Sequence, residues 1–177
     1  EACLWADRIV AHNELYMALV EVGAGLLPAG GGCYQMWRRL SESTVTPTDW
    51  LTVFLQAFQT IAMPMPSGSA QEARAKGFLR PQDRIVFNRD YLIGEAKKEV
   101  LRMVDDGYQP PANLPIKVFG QDAMGALDAN IPDMLSGYKI APYIATVVRR
   151  VGYVVSGGTA FKGEAISEDA MLRLERE

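Results

Sequence analysis

The sequence has few of the residues that build disulfide frameworks and histidine sites. It contains two cysteines and one histidine among 177 residues. Cys3 and Cys33 do not make a disulfide scaffold, and they fit a reducing, cytoplasmic compartment. With His12 alone, the chain cannot build a histidine-based catalytic triad or a multi-histidine metal site, so no metal is expected. His12 itself is interpreted as a loop or strand-edge residue.

Long apolar runs and an excess of one charge are also missing. No apolar run reaches the roughly 18 residues of a membrane span, so no span is predicted. The 18 basic and 21 acidic side chains give a net charge of −3, and charges of one sign form no long blocks. The sequence therefore shows no basic patch of the kind that binds nucleic acid. The hydrophobic content of 49% is enough to bury one core. The chain begins with Glu and shows no signal-peptide pattern, and we expect it to be a piece of a longer protein.

Hydrophobic periodicity predicts a helix-rich α/β chain. Two short strands are predicted at 8–12 and 83–87. Capping patterns predict helices that begin at Thr46-Pro47-Thr48-Asp49, at Ser69, at Asn88 and at Ser167. Further helical segments are predicted at 2–6 and 33–40, and Pro64 is expected to end the helix that starts near residue 49.

Apolar stripes mark the faces of the longer helices. The first stripe is predicted to be core and comprises Trp50, Leu51, Phe54, Leu55, Phe58, Ile61 and Ala62. The helix after Asn88 has Leu92, Ile93, Ala96, Val100, Leu101 and Val104 on one face, with Lys97, Lys98 and Arg102 on a solvated face. Two later stripes comprise Met124, Leu127, Ile131, Met134 and Leu135, and Ile140, Ile144, Val147, Val148, Val151, Val154 and Val155.

A boundary is predicted in the segment GYQPPANLP at 107–115, because its glycine and prolines cannot continue a helix. It divides the chain into a first region at 1–107 and a helical tail at 108–177. Helices with a wide apolar face gain most of their stability from packing. The tail is therefore expected to cover a partner surface, either a missing domain or another subunit.

The first 32 residues carry the most specific motif. Glu1 and Glu21 lie twenty positions apart around a short apolar strand, Asp7 follows Glu1 by six, and a glycine-rich turn follows Glu21. This pattern resembles the crotonase superfamily, the enoyl-CoA hydratases and isomerases. The segment that starts at Ser69 (SAQEARAKGFL) agrees with that family. The residues in register are Glu1, Asp7, Glu21, Gly23, Gly25, Leu26, Pro28, Gly30, Gly31 and Gly32.

Later segments resemble one branch of this superfamily more narrowly. They are GFLRPQDRIVFNRDYLIGEAK, GYQPP, Ser156-Gly-Gly and the end from Ser167. The branch is the long bacterial 3-hydroxyacyl-CoA dehydrogenases whose crotonase-like domain follows an NAD-binding region. The resemblance implies that 1–107 is the carboxyl-terminal half of a crotonase-like ββα spiral. NAD would then belong to the upstream region, and no cofactor is expected on this chain itself.

The resemblance also implies roles for the two glutamates. Glu1 corresponds to the family residue that activates water, and Glu21 to the residue that protonates the carbon next to the thioester carbonyl. Gly23, Gly25, Pro28, Gly30 and Gly31 would shape the turn beside the coenzyme A thioester substrate. Two carboxylates close together in a partly buried site repel when both are charged, and such a pair can supply an acid and a base. The oxyanion-binding N–H groups would come from residues upstream of Glu1.

Three alternatives follow from these residues. In the first, the chain is part of a β-oxidation enzyme that hydrates 2-enoyl-CoA, and the isolated chain is inactive because the oxyanion loop lies upstream. The second is a non-catalytic interdomain or oligomerisation module on the same framework. The third is an enoyl-CoA isomerase. By resemblance, self-association and contacts with upstream domains of the same polypeptide are expected.

Overall fold

A computed structural model describes residues 1–42, 50–63, 65–138 and 141–177, with the side chains at 130, 133–135 and 138 excepted. The predicted helix start at 46–49, Pro64 and Ile140 lie outside the described residues, as do the side chains of Met134 and Leu135. The helices are α1 (Gly32–Glu42), α2 (Trp50–Ala62), α3 (Ala70–Ala75), α4 (Leu92–Asp105), α5 (Asp122–Tyr138), α6 (Pro142–Ser156) and α7 (Glu168–Arg176). The strands are β1 (Val10–His12), β2 (Arg84–Val86), β3 (Ile116–Lys117) and β4 (Ala165–Ile166), and three short 3-10 turns cover Ala2–Trp5, Glu21–Ala24 and Arg89–Tyr91.

The strands form two small sheets. In the first, β1 and β2 run parallel, with Val10 opposite Arg84 and His12 opposite Val86. In the second, β3 and β4 pair antiparallel. The helix-rich α/β class is therefore confirmed in its coarse form. Two sheets of two strands do not establish a ββα spiral, which stays a prediction.

Local capping signals explain where several helices begin. The Ser69 hydroxyl accepts a hydrogen bond from the Glu72 backbone N–H at 3.1 Å, and the Glu72 carboxylate accepts one from the Gly68 N–H at 2.7 Å. At the start of α7, the Ser167 hydroxyl accepts from the Ala170 N–H at 3.2 Å. The two hydroxyl bonds satisfy N–H groups that the helices leave free, and the bond from Gly68 fixes the chain just before α3. The predicted starts at Ser69 and Ser167 are confirmed.

The core lies where α1 and α2 meet the tail helix α6. Trp37, Phe54 and Phe58 are fully buried there, together with Val151 and Val155 of α6. The tail was predicted to cover a missing domain or another subunit, and it covers the first region of the same chain. The two regions share one apolar core, and the proposed boundary between domains stays a prediction.

The apolar face predicted for α4 is exposed. Ile93 is 85% exposed, and Val100, Leu101 and Val104 are all more than half exposed. The buried residue of this helix is Glu99, which pairs with Arg102 at 2.6 Å and lies 3.8 Å from Arg8. The helix predicted from Asn88 through Val104 begins instead as the 3-10 turn Arg89–Tyr91, which Asn88 caps, and it continues as α4 to Asp105. Helical periodicity leaves open what covers the apolar face of α4.

Within the described ranges, none of the helices combines the length and the apolar character that crossing a bilayer requires. The same part of the chain holds no group of three or more histidine, cysteine, aspartate or glutamate side chains placed to bind a metal ion.

Candidate active site at the glycine turn

The backbone of the glycine run closes around the carboxylate of Glu1. Its Oε1 accepts hydrogen bonds from the N–H groups of Gly30 at 2.8 Å and Gly32 at 2.9 Å. A Cβ on Gly32 would lie 2.9 Å from the same oxygen and 2.5 Å from Cβ of Pro28. Contacts this short exclude a side chain at position 32. The glycine therefore allows the backbone to approach the carboxylate.

Trp5 fixes the opposite side of the turn. Its indole N–H donates to the carbonyl of Gly30 at 2.8 Å, and its ring stacks on Tyr34 at a centroid distance of 5.8 Å. Gly31 has φ of +98°, and a Cβ there would overlap the Trp5 ring. Both the left-handed backbone and the aromatic contact thus require glycine at position 31.

Glu21 opens the 3-10 turn Glu21–Ala24, which ends at Gly25 with φ of +78°. The side chain is half-buried, and its Oε2 is shielded from water without a hydrogen-bond partner among the described residues. A buried carboxylate oxygen without a donor is costly. This position suits a group that exchanges a proton with a bound molecule.

The tail holds the turn after Glu21 in place. The hydroxyl of Tyr143, on α6, donates to the carbonyl of Gly25 at 3.1 Å. A Cβ on Gly25 would lie 2.8 Å from Cε1 of the same ring. Gly25 is therefore required both by its positive φ and by the close approach of the ring. This contact is one way in which α6 supports the candidate site.

The charges of three carboxylates act on Cys33, in the first turn of α1. Burial raises the pKa of the Cys33 thiol well above its ordinary value, and the negative charges of Glu175, Glu1 and Glu21 raise it further. Cys33 is buried and unpaired. A thiol with a raised pKa is a poor nucleophile, so Cys33 is inert packing at this point. Hydrogen bonds hold Glu1 at this end of α1, and the negative charge of Glu21 also acts on the same thiol.

Glu175 is the third carboxylate, and sequence analysis did not predict it. It is 4% exposed, and its two oxygens accept from the N–H groups of Gly31 and Tyr34, each at 2.8 Å. Burial raises the pKa of Glu175 to about 7, against the opposing effect of these N–H donors. The N-terminus of α1 is thus capped by Glu1 and Glu175 together.

The sequence is similar to that of a named enzyme. It is 38% identical over 178 aligned residues to a Bacillus subtilis (strain 168) protein named "Probable 3-hydroxyacyl-CoA dehydrogenase". The alignment covers 100% of this chain and 22% of that protein, so the chain spans about a fifth of the length of this relative. No family model matches the sequence, and no solved structure matches it.

The other predicted residues have plain structural positions. The N–H of Gly23 donates to the carbonyl of Val20 at 3.0 Å, and Pro28 is buried against the glycine run. The ring of His12, at the end of β1, contacts the carbonyl of Phe87 at 3.1 Å, as expected of a strand-edge residue. Asp7 accepts a short hydrogen bond from the Tyr108 hydroxyl.

A wide cleft lies on another face of α1. It measures about 850 Å³, and it is lined by Trp5, Arg38, Arg39 and Arg80 among others. Its arginines are largely engaged already: Arg38 pairs with Glu42 at 2.8 Å, and Arg39 donates to the carbonyl of Leu4 at 2.5 Å. Glu1 and Glu21 do not line this cleft.

Proposed function

We propose that this chain is part of a longer enzyme acting on acyl-CoA thioesters, in which Glu1 and Glu21 hydrate a 2-enoyl-CoA. The observation that carries the proposal is the hold of the backbone N–H groups of Gly30 and Gly32 on the Glu1 carboxylate, in a turn that excludes side chains at Gly31 and Gly32. The similarity to a protein named as a 3-hydroxyacyl-CoA dehydrogenase supports the substrate class. Membership of the crotonase superfamily is part of the same proposal.

The geometry allows Glu1 and Glu21 to have different roles in proton transfer. Oε1 of Glu1 is held by two backbone N–H groups, whereas Oε2 has no hydrogen bond from the described residues. A carboxylate with one fixed and one free oxygen can accept a proton from a positioned water. Glu21, with its buried and unbonded Oε2, would then deliver a proton to the carbon next to the thioester carbonyl.

NAD is proposed for the part of the longer protein outside this chain. The glycine run is the segment here that most resembles a phosphate-binding turn, but its N–H groups are bonded to the carboxylates of Glu1 and Glu175. Two carboxylates in that position repel a pyrophosphate. These residues do not fit a dinucleotide, and no step of the hydration depends on one.

The test is to replace Glu21 by glutamine in the full-length enzyme and to measure the hydration of crotonyl-CoA. Loss of a proton-transferring group is expected to lower kcat by roughly 100-fold or more. Replacing the exposed Glu14 by glutamine makes the same charge change outside the site and is expected to have no effect. Unchanged hydration in the Glu21 variant would support the non-catalytic docking module. Product analysis with a 3-enoyl-CoA would reveal an isomerase.

The 177-residue chain alone is expected to be inactive. The described residues supply the acids, and the proposed oxyanion donors come from outside this chain. Loss of one such donor typically costs about 3 to 4 kcal/mol of transition-state stabilisation. Hydration of crotonyl-CoA by the purified chain would refute this part of the proposal.

A further inference from the structure

Two carboxylates from distant parts of the sequence divide the free N–H groups at the start of α1. Glu1 takes those of Gly30 and Gly32, and Glu175 takes those of Gly31 and Tyr34. The glycine turn is thus held by alternating bonds to two different side chains. A change in the position of Glu175 therefore alters the backbone on which Glu1 rests.

Docking of α7 does not account for a buried acid at position 175. Met171 is fully buried in the core, and Leu172 and Leu174 pack against it, so the helix already has an apolar anchor. No salt bridge to Glu175 is formed among the described residues, and the nearby Glu1 carries the same charge. An apolar residue usually fills such a position at lower cost than an unpaired carboxylate. The acid is explained instead by the N–H groups that it holds.

We propose that Glu175 is a positioning residue of the candidate active site, which fixes the glycine turn and through it the carboxylate of Glu1. This inference rests on the proposed function. Helix α7 thereby contributes a residue to the candidate site, although Glu175 lies 174 positions after Glu1 in the sequence.

The test compares Glu175→Gln with Glu177→Gln in the full-length enzyme. Both changes replace a carboxyl near the end of α7 by the neutral amide of the same size, but Glu177 is exposed and lies 4.0 Å from Arg150. Three quantities are measured: the amide hydrogen exchange of Gly31 and Tyr34, and kcat and KM for crotonyl-CoA hydration. Glu175→Asp keeps the charge on a shorter side chain, and it carries the same test if the glutamine variant does not fold.

The expected result for Glu175→Gln is at least about tenfold faster exchange at Gly31 and Tyr34. We also expect kcat to fall by about 10- to 100-fold, the usual scale for a residue that acts through another. KM should change less than about twofold, because Glu175 does not touch substrate. Glu177→Gln should change none of these, and Glu175→Asp should be intermediate.

Failure of this inference can be told apart from failure of the proposed function. If Glu21→Gln abolishes hydration while Glu175→Gln leaves kcat or amide exchange unchanged, the positioning role is wrong and the proposed function stands. If Glu21→Gln leaves hydration unchanged, or the wild-type enzyme hydrates nothing, the proposed function fails, and the positioning role fails with it.

Discussion

The pH dependence of the free energy of unfolding tests whether burial or hydrogen bonding has the larger effect on the pKa of Glu175. Burial raises the pKa of this carboxyl, whereas the N–H donors of Tyr34 and Gly31 lower it, and the nearby charge of Glu1 raises it again. Burial is the largest of these effects, and the pKa rises from its ordinary 4.5 to about 7. The folded chain therefore holds a proton at Glu175 that the unfolded chain has already lost.

The sign of the pH dependence follows from this difference. Below about pH 4.5 the carboxyl is protonated in both states and burial has no charge to penalise. Between about 4.5 and 7 the unfolded state ionises first, so stability falls as pH rises. The difference between 4.5 and about 7 corresponds to roughly 3 kcal/mol of lost stability, complete above about pH 8.

The assay is urea unfolding of the wild-type chain, Glu175→Gln and Glu177→Gln at several pH values from about 4.5 to 8.5. Glutamine cannot ionise, so the stability of Glu175→Gln relative to wild type should rise by roughly 3 kcal/mol across this range. The Glu177→Gln variant should follow the wild-type curve. A relative stability that stays constant or falls would show that the N–H donors outweigh burial, and the reasoning would be refuted.

Two further predictions concern the same turn. Gly31→Ala should lower the free energy of unfolding in urea by more than about 1 kcal/mol, because φ is +98° and the new methyl would overlap Trp5. As a control, Gly94→Ala has open space around it in α4 and should stabilise the chain by up to about 1 kcal/mol. Equal effects of the two substitutions would contradict the strain assigned to Gly31. A thiol reagent at neutral pH should modify the exposed Cys3 in the native chain and the buried Cys33 only after unfolding. If both cysteines of the native chain reacted rapidly, the first turn of α1 would have to open.

Local signals predicted the elements whose causes are local. Ser69 and Ser167 begin helices because each hydroxyl reaches an N–H three residues on. In the predicted stripe of α2, Phe54, Phe58 and Ile61 are core because their spacing puts them on one face, but Leu51, at the edge of that face, is 42% exposed. Such interactions span a few residues, and the sequence alone therefore contains what is needed to predict them.

Long-range contacts could not be predicted in the same way. Glu175 stands in the highly charged end LERE, where an acid ordinarily faces water, and its partners Gly31 and Tyr34 lie 144 and 141 positions away. The exposed face of α4 is a related case, since periodicity shows that Val100 and Val104 share a face but not what packs on it. The roles of Glu1 and Glu21 rest on resemblance and stay predictions.

The two-carboxylate cap has a consequence for the order in which the chain folds. A ribosome makes Gly31 and Tyr34 before Glu175, and their N–H groups can receive its carboxylate only after another 141 residues or more have been added. Contacts of such long sequence separation form slowly, because the loop between the partners must first be closed. During synthesis, the candidate site therefore cannot be completed until Glu175 has been added, and a chain that ends before Glu175 keeps only the Glu1 half of the cap.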